Sequence, residues 1–394
     1  MHNRQRITLV AFLCYFVLSA MLAPIGIISG PMAEQYGRPV TEITAQFSWL
    51  TGGNFIGAVV ALFVFDWVGV RRLLLVIYGV IAAGLLSLAV VDSLAYGRLV
   101  LGVAGFGSGI GLAAAALTIS RTYDAERRAS LLVITDGCFS VAGFACAWLA
   151  SRFVSLQLGW SSTYQCIGLL ALAIVGLGLV SEFPATTRRE TGVRVAVRWS
   201  PPVWLCVAAL FLYSLGQYSM LFWLPNYAST QLGLPAEQAG AVVGRFWQGM
   251  FLAQLFVAWW VLRIGLRRLV MVAAVMTALG SIPLWSVRDA GLLPWLALAW
   301  GIANLSLLKA TLSFATTLVE VPDARLVSAL LLGATLGTAI SPAASSFVVA
   351  HADARTVLVA STACHVGMMV LILLARRLRR GPAVAVETRS INAT

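Results

Sequence analysis

Residues 68–76 read V-G-V-R-R-L-L-L-V, and residues 264–272 read I-G-L-R-R-L-V-M-V. The two segments lie 196 positions apart in a chain of 394. Carried upstream, the same offset aligns Gln35, Gly37, Pro39 and Ala45 with Gln231, Gly233, Pro235 and Ala241, then Gly53 and Phe55 with Gly249 and Phe251. A register held over roughly forty residues marks a duplicated unit. In each copy the Gly-x-Arg-Arg segment is a short basic loop between two long apolar runs, so each half carries the same hairpin of membrane helices.

Composition agrees with that reading. The chain is 60% hydrophobic and 11% charged, with a mean hydropathy of +0.90. Soluble chains are about 25% charged, and apolar runs of about 20 residues, enough to cross a bilayer, recur throughout. An integral all-α membrane protein is predicted, with about twelve transmembrane helices. Their expected limits are 7–32, 43–65, 73–91, 94–120, 130–151, 160–183, 203–227, 239–262, 269–287, 292–319, 326–349 and 356–374. This divides the chain into a six-helix bundle at 1–183, a hinge loop at 184–202, a second six-helix bundle at 203–378 and a tail at 379–394. Residues 1–6 followed by an apolar run imitate a signal peptide, but the run continues past Pro24 and Gly26 without a convincing cleavage site.

The net charge of +12 could suggest nucleic acid. Its distribution says otherwise. Twenty arginines fall in loops on one side: Arg4, Arg6, Arg71, Arg72, Arg121, Arg127, Arg128, four in the hinge, Arg263, Arg267, Arg268, Arg325 and five from Arg376 to Arg389. The other side holds Arg38, Arg152, Arg288 and Arg355. The positive-inside rule then puts both termini and the hinge in the cytoplasm. The bilayer is the expected macromolecular partner, nucleic acid is not, and a monomer in a bacterial inner membrane is expected. The six cysteines all lie in apolar runs without a C-x-x-C spacing and read as packing residues.

Two six-helix halves in parallel repeat, a basic hinge, and a basic loop after the second helix of each half resemble the major facilitator superfamily. Its first-half signature, Gly-x-x-x-Asp-Arg-x-Gly-Arg-Arg or Lys, is matched here by Asp66, Gly69, Arg71 and Arg72, with Leu62, Trp67 and Val70 departing from it. The resemblance implies a gate at those four matching residues. Residues 131–143 (LLVITDGCFSVAG), Cys166-Ile167-Gly168, Glu182-Phe183-Pro184, Leu215-Gly216-Gln217, residues 223–228 (WLPNYA) and Phe246-Trp247 resemble, in that order, the TsgA-like permeases related to the fucose and glucose permease family. The acids that fucose permease relatives carry in helices 1 and 4 for proton coupling have no match here, so proton symport does not follow from the resemblance.

An ionisable side chain within the bilayer costs about 2.5 to 3.5 kcal/mol at a helix centre and needs a reason. Four stand out within the predicted spans: Arg98, Asp136, Arg245 and Lys309, the last being the only lysine. In the family, helices 4 and 10 line the central cavity and 5 and 8 border it, so the resemblance implies that the four charges meet around one water-accessible space. Each has a bland alternative as a helix-to-helix partner. Three cations against one anion point to an anionic solute, and Gln217, Asn226, Gln248 and Asn304 could orient it. The expected function is secondary active transport of a small polar, anionic solute by alternating access, with proton coupling open. Alternatives are export of a siderophore or drug-like compound, a neutral-sugar permease, and a receptor without flux.

Other features take the bland reading. Residues 105–111 (GFGSGIG) imitate a phosphate loop but lie in a membrane run, where small-x-x-x-small packing explains them. Cys364-His365 with Met368 and Met369 could be imagined as a metal site, yet helix packing accounts for them; no cofactor is expected. An intramembrane enzyme would need clustered nucleophile and base, and neither H-E-x-x-H nor Gly-x-Ser-x-Gly occurs. Pro225 and Pro342 are expected to break helices 7 and 11, as rocking joints or packing kinks rather than binding sites.

Overall fold

The computed structural model describes residues 2–65, 67–183, 199–319 and 324–378. Among these the secondary structure is helical throughout. The first half contains α1 (Asn3–Leu22), α2 (Ile25–Tyr36), α3 (Val40–Gln46), α4 (Ser48–Val64), α5 (Val70–Ser87), α6 (Leu94–Thr122), α7 (Ala125–Ser155) and α8 (Ser162–Leu179). The second contains α9 (Pro201–Thr230), α10 (Ala236–Ile264), α11 (Leu266–Ser286), α12 (Leu293–Ala303), α13 (Leu307–Thr316), α14 (Ala324–His351) and α15 (Ala354–Leu378). Among the described residues 11 stretches are long and apolar enough to cross a membrane, and the 29-residue α10 stands between the seventh and the eighth of them. The protein is therefore a multi-pass membrane protein with the predicted number of rods. The expected tail and most of the expected hinge lie outside the described residues.

Three predicted rods are interrupted. The first breaks at Ala23 and Pro24, where proline offers no N–H to continue the ladder. The second turns at Phe47 between α3 and α4. The tenth, expected to run unbroken over 292–319, unwinds at residues 304–306 between α12 and α13.

Glycine sets the closest helix pairs. A Cβ at Gly105 of α6 would overlap the Leu50 carbonyl of α4, and one at Gly53 of α4 would overlap the Gly102 carbonyl of α6. Shifted by the same 196 positions, a Cβ at Gly301 would overlap the Phe246 carbonyl, and one at Gly249 the Leu298 carbonyl. The duplication read from the basic loops is thus repeated, residue for residue, in the packing of α4 on α6 and of α10 on α12. The packing reading of residues 105–111 accounts for their glycines.

The N-terminus lies beside the end of α8, where Asn3 Nδ2 donates to the Glu182 carbonyl at 2.8 Å. This end is called the terminal face and the other the far face. The halves meet mainly toward the far face. There a Cβ at Gly26 of α2 would overlap Phe222 of α9, its own repeat position, and one at Gly240 of α10 would overlap Ser151 of α7. Thr51 Oγ1 of α4 donates to the Ala339 carbonyl of α14 at 3.1 Å. Toward the terminal face, α6 packs chiefly on α1, α4, α5 and α7, and α13 on α9, α11 and α14, each within its own half. The conformer is closed at the far face. Outward-facing apolar side chains such as Trp148, Phe256 and Phe347 are more than half exposed, as a lipid-facing belt requires.

Among the described residues one ion pair joins the halves at the far face. Arg152 Nη1 of α7 lies 3.6 Å from Glu237 Oε1 of α10, and both side chains are about half exposed. An exposed pair contributes at most about 1 kcal/mol. Glu237→Gln is therefore expected to raise the population open at the far face by up to about fivefold. A cysteine at Ser29, which lines the far-face vestibule, should react correspondingly faster with an impermeant thiol reagent, and the exchanged pair Arg152→Glu/Glu237→Arg should return the rate toward the parent's.

Candidate functional site

A cavity of about 210 Å³ lies between the halves. Asp136 and Ser140 reach it from α7, Gln217 from α9, Trp247 and Gln254 from α10, and Lys309 from α13. Asp136 Oδ1 and Lys309 Nζ stand 3.3 Å apart, one from each half, with the aspartate side chain 20% and the lysine side chain 42% exposed. Beside this pair Gln254 Nε2 donates to Ser140 Oγ at 3.0 Å, again across the halves. Phe139 and Trp247 meet edge to face at 5.6 Å.

Lys309 owes its position to the break in the tenth rod. Leu305 and Ser306 take φ of +41° and +53°, a left-handed region that costs side-chain-bearing residues about 1–3 kcal/mol each. Asn304 holds the break: it is fully buried, its Nδ2 donates to the Trp300 carbonyl at 2.9 Å, and its Oδ1 accepts from the Tyr213 hydroxyl at 3.0 Å. The new helix then starts at Leu307. Its first-turn N–H groups and the positive end of its dipole lie beside Ser306 and Lys309 at the cavity wall.

Three further residues that line the cavity each hold a buried polar atom left unpaired. Asn54 Oδ1, Gln217 Oε1 and Trp247 Nε1 have no hydrogen-bond partner among the described residues, line the cavity and belong to residues at most 4% exposed. A buried polar atom left unpaired costs about 1–3 kcal/mol. These residues add hydrogen-bonding capacity, not used by any described protein group, to a cavity otherwise walled largely by apolar side chains.

The structure brings Asp136, Lys309 and Gln217 together and disperses the other expected contacts. Arg98 Nη2 lies 3.7 Å from Glu42 Oε1 near the far face, away from the cavity. Arg245 is on the side of α10 turned from the cavity, where its Nη1 donates to Gln248 Oε1 at 3.0 Å. Asn304 supports the broken helix, and Asn226 lines a separate far-face vestibule of about 750 Å³. The excess of buried positive charge expected from the sequence is therefore absent from the described cavity, where one cation faces one anion. Of the expected gate, Asp66 lies outside the described residues and Gly69 caps the start of α5. Arg71 donates to the Gly178 and Leu179 carbonyls at 3.2 and 2.7 Å, where a cation stabilises the end of α8. Arg72 is exposed.

Asn54, Ser140, Tyr213, Trp247, Gln254 and Ser306 escaped the sequence reading. Two carried a signal: Ser140 stands one helical turn from Asp136, on the same face, and Trp247 lies in a segment similar to the permeases.

The family model described as Major Facilitator Superfamily matches residues 8–247. The TsgA homolog of Edwardsiella ictaluri is 26% identical over 375 residues, covering 94% of this chain and 95% of the relative. The TsgA homolog of Serratia proteamaculans is 27% identical over 377 residues, with coverage of 94% and 95%. Among solved structures, a D-xylose-proton symporter superposes with a TM-score of 0.76 at 13% identity, covering 95% of this chain and 97% of that one. A mutant of the nucleoside transporter NupG superposes with a TM-score of 0.73 at 15% identity, covering 95% and 100%.

Proposed function

Because this chain belongs to the major facilitator superfamily, a family of transport proteins and not of enzymes, we propose that it is a secondary active transporter of a small anionic solute. Asp136 carries the coupled proton. The observation that carries this reading is the Asp136–Lys309 pair, 3.3 Å apart at the cavity wall and drawn from opposite halves. In the empty site the carboxylate occupies the place of an anion. Protonating Asp136 releases Lys309, and a solute carboxylate or phosphate then pairs with it, aided by the positive end of α13.

Charge balance makes the coupling obligatory. The empty pair is neutral, and so is the site holding both a proton and a singly charged anion. A site with only one of them carries a net charge, whose enclosure in hydrocarbon is costly. Only the neutral forms therefore pass readily through the closed state, which is what symport requires. The alternating-access reading is supported by the closed far face and by the sparse packing of α6 and α13 across the halves. The bacterial relatives and the basic loops support an inner-membrane protein with both termini in the cytoplasm.

A neutral polyol or sugar is the second reading, favoured by the unsatisfied atoms of Asn54, Gln217 and Trp247. One comparison separates the two. A thermal-shift screen identifies a binder, since a ligand of the native state raises the melting point. Lys309→Gln should then weaken an anionic binder by about tenfold or more, and its uncharged analogue much less. If the binder is a neutral solute that Lys309→Gln holds as tightly as the parent, the anion reading fails.

A further inference from the structure

Arg245 has no role in the cavity, and its surroundings suit a different ligand. At about 100° per residue, Trp247, Met250 and Gln254, which line the cavity, lie between about 140° and 200° around α10 from Arg245. Phe256, which is 60% exposed, falls on the same side as Arg245. The arginine therefore faces lipid. Its guanidinium sits over the ring of Trp295, 5.6 Å from the centroid. One of its N–H groups donates to Gln248 Oε1 at 3.0 Å, and among the described residues no carboxylate pairs with it. Trp295 is 61% exposed and stands just after the 3-10 turn Ala290–Leu292 that opens the tenth rod at the far face.

We propose that Arg245 and Trp295 form a seat for the phosphate of an anionic phospholipid in the leaflet at the far face. A guanidinium presents five donors in one plane, and a phosphate accepts two of them side by side. Gln248 orients the group and leaves that paired edge free. Trp295 fixes the guanidinium from the other side and is itself a residue type that settles at the membrane boundary. Below them the exposed Leu255 and Phe256 continue along α10 and offer an apolar track for an acyl chain. A soluble phosphate would find no such track and would have to reach the arginine through lipid. The uncompensated charge of Arg245 is thus neutralised by the bilayer.

The test is native mass spectrometry of the purified full-length protein, delipidated in neutral detergent and titrated with short-chain phosphatidylglycerol. The parent should bind the lipid, and Arg245→Gln should weaken that binding by about fivefold or more. Arg245→Lys should fall between them, because lysine keeps the charge and loses the two-pronged geometry. Trp295→Ala, which leaves the arginine in place, should also weaken binding and covers the case in which Arg245→Gln fails to fold. Inorganic phosphate in large excess should displace none of the lipid. Parental affinity in both Arg245→Gln and Trp295→Ala would overturn the proposal, and so would full displacement by inorganic phosphate, which would indicate a site for a soluble anion. None of these outcomes bears on the cavity.

Discussion

Asp136→Asn is expected to abolish accumulation of solute against its gradient while leaving exchange of solute across the membrane intact. Asparagine keeps the shape of the protonated aspartate and cannot release a proton. The loaded carrier then resembles the parent's, so loaded-to-loaded exchange proceeds. The empty carrier does not, because Lys309 has lost the carboxylate 3.3 Å away and its charge stands alone when the cavity closes. Leaving one member of a fully buried pair unmatched costs about 3–5 kcal/mol. Both side chains here keep some exposure, so the lower end applies. About 3 kcal/mol slows the return of the empty carrier by roughly a hundredfold. In proteoliposomes with an imposed pH gradient, uphill uptake should vanish, while counterflow persists within about twofold of the parent. Asp136→Asn/Lys309→Gln should restore the empty return by removing the lone charge, yet remain uncoupled from protons. Normal uphill uptake by Asp136→Asn would reduce the pair to a link between α7 and α13.

The second large effect concerns assembly. Gly105→Val should yield little folded protein, and Gly105→Ala should already be severely destabilised. At this position the obstacle to a Cβ is the Leu50 carbonyl, a backbone atom that no rotamer change can move. Overpacking of flexible side chains costs about 1–3 kcal/mol, and displacing two helix backbones costs more. Because the repeat carries the same contact between Gly301 and the Phe246 carbonyl, Gly301→Ala should be comparably damaging. Gly79→Ala is the control: nothing lies within 4 Å of its Cβ position, and alanine favours a helix over glycine by up to about 1 kcal/mol. Detergent extraction followed by size-exclusion chromatography reads all four variants. A monodisperse, parent-like Gly105→Ala would contradict the packing described for α4 and α6.

The halves were legible because duplication leaves its register in the sequence, and the offset that aligns the Gly-x-Arg-Arg loops also aligns the glycine contacts of α4 on α6 with those of α10 on α12. Proline was a poor guide: the first rod breaks at Pro24, inside a run expected to be continuous, whereas α9 and α14 pass through Pro225 and Pro342 as unbroken helices, where breaks were expected. The break at residues 304–306 was hidden: the residues that turn left-handed are leucine and serine, and the bonds that hold them come from Trp300 and from Tyr213 on another helix. No local pattern encodes that. Depth along a helix was readable for Arg98, Arg245 and Lys309, but facing was not. Which side of α10 looks inward is decided by α7 and α12, and Arg98 finds its partner in Glu42 on a neighbouring helix. Counting charges by depth alone therefore gathered into one cavity three cations of which only Lys309 belongs there.

Alternating access around this cavity is most directly tested by the accessibility of one introduced thiol. Ser214 lines the cavity, and Ser214→Cys in a chain lacking its six native cysteines can be challenged with an impermeant reagent from either side, in intact cells and in inverted vesicles. Labelling from both sides is expected. A bifunctional cross-link between Arg152→Cys and Glu237→Cys, the pair that joins the halves at the far face, should then abolish labelling from the far face and leave labelling from the terminal face unchanged. Labelling from the far face that survives the cross-link, or labelling from a single face in the unlinked protein, would contradict a cavity that opens to the two sides in turn.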